Sequence, residues 1–103
     1  MMLITPFAVF PPRHGGAVRI AELIRALRDH FDIVLITDEA RLYDARSLAY
    51  MDDLYAVNFV QRDRDPKDVV LTTVDRIHSH CHPRLVASVE EAIRRYRPDL
   101  VQV

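Results

Sequence analysis

The chain has 103 residues, of which 50% are hydrophobic and 28% charged, and its formal net charge is −1. These values are typical of a small globular protein and exclude the basic footprint of a nucleic-acid-binding domain. A single cysteine, Cys81, excludes an internal disulfide and indicates a reducing compartment. The sequence predicts no signal peptide, because Pro6 interrupts a short apolar start that lacks basic residues. It also predicts no membrane span, because no segment is long and apolar enough to cross a bilayer. We expect one cytoplasmic domain over residues 1–103.

The first third of the chain predicts a strand, a glycine turn and a helix. Met2–Thr5 is a short apolar run typical of a buried strand. A proline-rich loop follows and ends at Gly15 and Gly16, the only glycines of the chain. From Ala17 to His30 apolar residues recur at helical spacing. The expected buried stripe of this helix consists of Val18, Ile20, Leu23, Ile24, Leu27 and Phe31.

Three further segments are predicted to be strands. The β-branched run Ile33–Thr37 is typical of a parallel strand that is covered on both faces. Leu54–Gln61 and Leu100–Val103 are the other two strand candidates. The mixed stretch Asp38–Asp53 between the second and third strands supports a short helix.

Two helices are predicted before the last strand. The first begins at Asp65-Pro66, where an N-cap acid precedes a proline at the first helical position. Its apolar stripe is Val70, Val74, Ile77 and Cys81, although the β-branched residues of this segment keep a strand open as an alternative. The second helix follows Pro83 and ends before Pro98. Its expected stripe is Val86, Val89, Ile93 and Tyr96.

Strands that alternate with helices predict an α/β fold, here a Rossmann-like parallel sheet of about four strands in the order 3-2-1-4 with flanking helices. Such sheets bind ligands beyond the carboxyl ends of their strands, where the first strand leads into the first helix. Gly15 and Gly16 fall at this junction, where a helix N-terminus presents backbone N–H groups to a phosphate or another anion. Glycine there allows a close backbone approach or an unusual φ. The alternative is a plain tight turn that packs the helix on the sheet.

Charged residues near this junction are candidate ligand contacts. Arg19 is a fork donor suited to a phosphate or a sugar carboxylate, with a solvated surface charge as the alternative. Arg13 and His14 lie on the loop, where they either contact an acceptor or are simply exposed. Asp38 and Glu39 follow the second strand, where dinucleotide-binding domains place a ribose-binding acid. Because the G-x-G-x-x-G spacing is missing, a solvated acidic cap is the better interpretation.

A cluster of potential metal ligands occupies the end of the penultimate helix. It comprises His78, His80, Cys81 and His82. A zinc site is disfavoured, because residues two apart diverge on a helix and no second pair of ligands is evident. Cys81 is instead predicted to be a small buried residue at the end of the helical stripe. We therefore predict no metal site.

Several segments resemble the family 4 retaining glycosyltransferases, the "group 1" enzymes with the GT-B fold. Ile4–Pro6 and Pro11–Ile20, the latter reading PPRHGGAVRI, are similar to the N-terminal signature of the family. Asp32–Thr37 and Arg97–Val103, reading DIVLIT and RPDLVQV, resemble two strands that recur in its members. The middle of the chain, roughly Asp38–His82, carries no matching motif.

The resemblance implies an incomplete GT-B N-terminal domain, the acceptor-side part of an enzyme that transfers a hexose. Such an enzyme moves the sugar from a nucleoside-diphosphate donor to a glycan, lipid or small-molecule acceptor, with retention and without a metal or other cofactor. By resemblance, Gly15, Gly16, His14 and Arg19 contact the donor phosphates or the substrate, and the loop Phe7–His14 lines the acceptor side. The second GT-B domain supplies most donor contacts, so this chain alone is expected to be inactive. The intact enzyme is expected in the cytoplasm, where it can lie peripherally on the inner membrane.

One alternative function is a stand-alone half-Rossmann module that binds or interacts without catalysis. For either function, the apolar segment Leu100–Val103 is expected to form an edge strand of the sheet. Because an apolar edge invites pairing with another strand, we predict a homodimer or higher assembly through this segment or through exchanged helices.

Overall fold

The computed structural model describes residues 1–38, 45–61 and 72–103. Strands and helices alternate along these residues. In chain order they are β1 (Met2–Ile4), α1 (Gly15–Leu27), β2 (Val34–Asp38), α2 (Ala45–Met51), β3 (Ala56–Val60), α3 (Thr73–His80), α4 (Pro83–Tyr96) and β4 (Val101–Gln102). Within these described ranges no helix has the length and apolar character that a membrane crossing requires.

The four described strands form one parallel sheet in the order β3-β2-β1-β4. Met2 of β1 lies opposite Val34 of β2 on one side and Val101 of β4 on the other. This order confirms the predicted Rossmann-like arrangement 3-2-1-4 with flanking helices. Because all strands run the same way, their carboxyl ends meet at a single edge of the sheet.

The core lies on both faces of the sheet. Successive strand residues point to opposite faces, so Leu3 and Leu35 pack on the side of α1, whereas Met2 and Val34 pack on the side of α4. The buried residues on the α1 side include Leu3, Val9, Phe10, Ala21, Ile24, Ile33 and Leu35. Those on the α4 side include Met2, Val34, Ile36, Val60, Leu85 and Ala92. Each large apolar side chain buried here contributes roughly 1.5–3 kcal/mol.

Helix α1 begins two residues earlier than predicted and buries a different face. Its buried residues are Ala17, Ala21 and Ile24, which recur four and three positions apart. Val18 is 45% exposed and Phe31 is 42% exposed, so their predicted burial is wrong. Val18 is one position, about 100° of helical rotation, away from Ala17. Phe31 lies beyond the last turn of the helix.

Helix α4 shows a similar shift of its buried face. Leu85 and Ala92 are buried, whereas Val86 and Ile93 are exposed, so the predicted stripe is wrong at those two positions. Val89 and Tyr96 are partly buried against the core, as predicted. The buried face of α4 is therefore offset by one residue from the face that its large apolar residues indicate.

The middle helices are short. Helix α2 confirms the short helix predicted between the second and third strands. Helix α3 confirms a helix rather than a strand around Val74 and Ile77, and Thr72 and Asp75 close a capping box at its start. Val74 and Ile77 are exposed, so this stripe is not part of the core. The predicted start at Asp65-Pro66, and with it Val70, lies outside the described residues.

Candidate functional site

The candidate site is the carboxyl edge of the sheet at the junction of β1 and α1. From β1 the chain passes through α1 to β2 on one side, whereas β4 joins the sheet on the other side of β1. The order of the strands therefore reverses between β1 and β4. In open α/β sheets the crevice at such a switch point is where ligands bind. Helix α1 begins directly after the loop that leaves this edge.

Two buried threonines hold the loop between β1 and α1 against the end of β2. The Thr37 hydroxyl donates to the carbonyl oxygen of Phe7 at 2.8 Å and accepts from the N–H of Val9 at 3.2 Å. The Thr5 hydroxyl donates to the same carbonyl of Phe7 at 3.0 Å. Val9 and Phe10 of this loop are fully buried, and the Phe10–Pro11 peptide bond is cis. The loop is thus tethered at both its start and its middle.

The middle of the loop packs on α2 through an aromatic contact. The ring of Phe10 stacks on Tyr50 at a centroid distance of 5.9 Å. The guanidinium of Arg25 lies 4.8 Å from the centre of the Tyr50 ring, and the Tyr50 hydroxyl donates to Glu22 at 3.3 Å. Tyr50 therefore joins α2 both to the loop and to the outer face of α1.

His14 caps the start of α1. Its Nδ1 accepts from the N–H of Ala17 at 3.3 Å, and its ring meets Phe7 edge-on at a centroid distance of 5.0 Å. Because Nδ1 acts as an acceptor, the ring hydrogen of the neutral imidazole resides on Nε2. The bonds among the described residues include no acceptor for the N–H of Gly15 or Gly16. These two donors belong to the set that every helix start leaves open to water or a ligand.

The two glycines differ in their surroundings but share an ordinary backbone conformation. Neither has a positive φ, so of the two expected reasons for glycine, a close approach or an unusual φ, the second is wrong. A Cβ at Gly15 would meet nothing within 4 Å, whereas one at Gly16 would lie 3.3 Å from His14 Nδ1 and 3.4 Å from Phe7 Cζ. Both glycines are exposed, which leaves their backbone open and disfavours a turn that packs the helix onto the sheet.

Two exposed arginines accompany the start of α1. Arg13 and Arg19 are exposed and make no ion pair or hydrogen bond with the residues that the structure describes. At the other end of the helix, Arg28 donates to Asp53 at 2.6 Å. This hydrogen bond and the charge of Asp53 raise the pKa of Arg28 above its ordinary value. The two arginines near the glycines therefore remain available to an anion, whereas Arg28 serves the fold.

Asp38 differs from its predicted state. It is the last residue of β2 and is only 4% exposed, so the prediction of a solvated acidic cap is wrong for this residue. Its burial follows from its place in a strand that has neighbours on both sides. Glu39 lies outside the described residues.

The histidine cluster separates into residues with different environments. His78, His80 and Cys81 are exposed, so the predicted burial of Cys81 is wrong. Cys81 follows the last residue of α3, a helix in which Val74 and Ile77 are exposed as well. The ring of His82 caps α4 by accepting from the N–H of Arg84 at 3.2 Å. Across residues 1–38, 45–61 and 72–103, no three His, Cys, Asp or Glu side chains converge on a possible metal position.

Sequence reasoning located the glycine junction but missed the side chains that support it. The sequence does not indicate the hydrogen-bonding role of Thr5 and Thr37, because each residue ends an apolar run and looks like part of a strand. The cap by His14 was hidden because histidine is not among the preferred N-cap residues. No known protein family, curated protein or solved structure matches the chain. The fold and the exposed start of α1 are therefore the observations from which a function is inferred.

Proposed function

We propose that the chain is the N-terminal, acceptor-side part of a glycosyltransferase that uses a nucleoside-diphosphate sugar. The observation that carries this proposal is the exposed pair Gly15–Gly16 at the start of a 13-residue helix. This pair lies at the switch point of a 3-2-1-4 parallel sheet, where the fold favours ligand binding. The resemblance of PPRHGGAVRI and RPDLVQV to the family 4 enzymes supplies the reaction class.

The start of α1 is suited to an anionic leaving group. Departure of a sugar from its donor leaves negative charge on a nucleoside diphosphate. The N–H groups of Gly15 and Gly16, together with the positive end of the helix dipole, stabilise such charge. Arg19 adds a guanidinium that can bind two phosphate oxygens at once. In this proposal the loop Phe7–His14 lines the acceptor side, and no metal or other cofactor takes part.

The test uses the complete natural protein that contains this chain. Gly15→Trp places a large ring at an exposed residue where an added Cβ meets no neighbouring atom, and this ring should cover the start of α1. Ala26→Trp places the same ring at an exposed position near the other end of the helix and serves as the matched control. Donor binding is measured by calorimetry with UDP- and GDP-sugars, and turnover by nucleotide release.

We expect Gly15→Trp to abolish donor binding and turnover, and Ala26→Trp to retain both. Undiminished binding and turnover in Gly15→Trp would remove the proposed role of the helix start. An unmodified protein that releases neither UDP nor GDP, with any acceptor class, would contradict the transferase function itself. In that case the alternative of a non-catalytic binding module would take its place.

The outer edge of β4 supports a second proposal, namely that copies of this chain associate. Among the described strands β4 pairs with β1 alone. Val101 and Val103 are exposed, the latter to 85%. An edge with open backbone groups and apolar side chains pairs readily with an identical edge across a two-fold axis.

We also propose a cytoplasmic location, which the free thiol of Cys81 supports.

A further inference from the structure

Tyr50 of α2 contacts both elements that meet at the candidate site. Its ring stacks on Phe10 of the loop between β1 and α1, with a centroid distance of 5.9 Å and an interplanar angle of 27°. On α1, the guanidinium of Arg25 lies 4.8 Å from the centre of the same ring, and Glu22 accepts from the Tyr50 hydroxyl at 3.3 Å. One side chain of α2 therefore links the position of the loop to the position of the helix.

Phe10 connects Tyr50 to the outer part of the loop. Its side chain is only 1% exposed and packs in the core on the α1 side of the sheet. Residues 11–14, the outer segment of the loop, follow directly and lead to the start of α1. Two of them, Arg13 and His14, are exposed. The outer segment is thus held between a buried ring and a helix, and a contact that fixes Phe10 fixes one of its two ends.

The two buried threonines hold an earlier part of the same loop. Their hydroxyls bond to the carbonyl oxygen of Phe7 and to the N–H of Val9. These hydrogen bonds fix the backbone up to residue 9. The ring of Phe10 is the next point of attachment, and Tyr50 covers it from the side of α2. The stack therefore extends the fixed part of the loop toward the outer segment.

Two roles for Tyr50 predict different consequences. The side chain is partly buried against the core, so an ordinary packing residue would stabilise the whole domain. A positioning residue would instead hold the loop in particular, because its stack reaches the loop through Phe10. Aromatic pairs contribute beyond the apolar area that they bury, and this contribution corresponds to roughly 2- to 12-fold in an equilibrium constant. Loss of the ring is therefore expected to shift the loop toward open states by a factor in that range.

We propose that Tyr50 is a positioning residue that holds the outer segment of the loop in the conformation that receives the acceptor. Without the aromatic ring, one face of Phe10 loses its cover and the segment that follows it becomes less ordered. The start of α1 keeps its place, because this helix is anchored by its own buried residues. Acceptor binding weakens, while the donor phosphates are still bound. The part played by the acceptor rests on the proposed transferase function, whereas the effect of Tyr50 on the loop does not.

The first test measures amide hydrogen exchange in the chain. The N–H of Val9, which bonds to a threonine hydroxyl, reports on the loop, whereas the N–H of Thr5 bonds to the carbonyl oxygen of Ile36 at 2.9 Å and reports on the sheet. Tyr50→Leu keeps an apolar side chain but lacks the aromatic face. We expect it to raise the exchange rate of the Val9 N–H by roughly 2- to 12-fold relative to that of Thr5. Tyr50→Phe keeps the ring and should exchange like the unmodified chain.

Tyr55→Leu is the matched control, because it makes the same replacement just before β3, where the Tyr55 ring meets Tyr96 edge-on at a centroid distance of 6.3 Å. We expect this variant to leave the ratio of the two exchange rates unchanged. If both amides exchange faster by the same factor in Tyr50→Leu, the residue stabilises the domain in general and the proposal is overturned. An equal change of the ratio in Tyr55→Leu or in Tyr50→Phe would overturn it as well, since the effect would then not depend on the stack.

The second test measures steady-state kinetics in the complete natural protein that contains this chain. With the acceptor class that supports nucleotide release, whether glycan, lipid or small molecule, Tyr50→Leu should raise the acceptor KM by roughly 2- to 12-fold. The dissociation constant of UDP or GDP, measured by calorimetry, should stay unchanged, and Tyr50→Phe should keep the acceptor KM of the unmodified protein. An unchanged acceptor KM in Tyr50→Leu, or an equal loss of nucleotide affinity, would overturn the positioning of the acceptor. An unmodified protein that transfers no sugar would contradict the transferase function, and the exchange rates alone would then decide the role of Tyr50 in the loop.

Discussion

Gly15→Ala separates the structural and the functional requirements at the start of α1. Gly15 is helical, has no positive φ, and has no atom within 4 Å of the position that a Cβ would occupy. Alanine therefore fits without strain and restricts the unfolded chain more than glycine does. The expected gain in the free energy of unfolding is about 0.4–1 kcal/mol. For a domain of this size the gain corresponds to a rise of roughly 2–8 °C in the unfolding temperature.

The same methyl group should weaken the binding of an anion at the helix start. It projects beside the exposed N–H groups of Gly15 and Gly16, which are the donors that a phosphate would use. The loss of one hydrogen bond to a charged group corresponds to about 1.5–3 kcal/mol. This loss weakens the affinity by roughly 10- to 150-fold. Stability and affinity are thus expected to move in opposite directions.

The assay combines thermal unfolding by circular dichroism with calorimetric titration of UDP and inorganic pyrophosphate. Ala26→Gly is the matched control, because it changes helix stability at an exposed position away from the helix start. It should lower the free energy of unfolding by roughly 0.5–1 kcal/mol without changing the affinity. A less stable Gly15→Ala variant would refute the geometry assigned to this residue. An unchanged affinity would refute the approach of the ligand to its backbone.

Three further predictions concern the loop, the end of α4 and the sheet edge. Thr37→Val leaves the N–H of Val9 buried without its acceptor. It should lower the free energy of unfolding, measured by urea denaturation, by about 1–3 kcal/mol. An unchanged free energy of unfolding would refute the role of Thr37 in holding the loop. Arg97 has φ 45° and ψ 58°, a left-handed conformation that costs a residue with a Cβ about 1 kcal/mol. Arg97→Gly should therefore raise the unfolding temperature. A decrease would mean that the arginine side chain contributes more to stability than this strain costs. Val101→Lys should convert a dimer into a monomer by light scattering, and a monomeric unmodified chain at high concentration would contradict association through β4.

The order of the strands could be predicted from the sequence because it depends on features that are local. Apolar runs separated by helical segments imply parallel strands, and right-handed crossovers leave few arrangements for four of them. Which face of a helix is buried depends instead on how closely that helix approaches the sheet. Helix α1 uses Ala17 and Ala21 for its contact, and α4 uses Ala92. A pattern weighted by large apolar residues selects Val18 and Ile93 instead, because it does not account for the small side chains that close packing requires.

The candidate site divides in a similar way. The junction at Gly15 and Gly16 is visible in the sequence, because a strand, two glycines and a helix follow one another along the chain. The bonds that fix the loop are not visible, because Thr37 lies 30 positions from Phe7 and 28 from Val9. Such contacts exist only once β2 has paired with β1. Local patterns therefore locate a functional junction, whereas its rigidity depends on contacts that the fold creates.

The conformation of Gly15 bears directly on why glycine occupies this position. A tight turn would need glycine for a positive φ, and a close contact with the fold would need it for the missing Cβ. Gly15 shows neither condition. His14 already caps the helix, so glycine adds nothing to the cap and lowers helix stability relative to alanine. Because Gly15 weakens its own helix and the described residues give no structural reason for it, we propose that a ligand approaches its backbone, and exposed N–H groups at a helix start are suited to an anion.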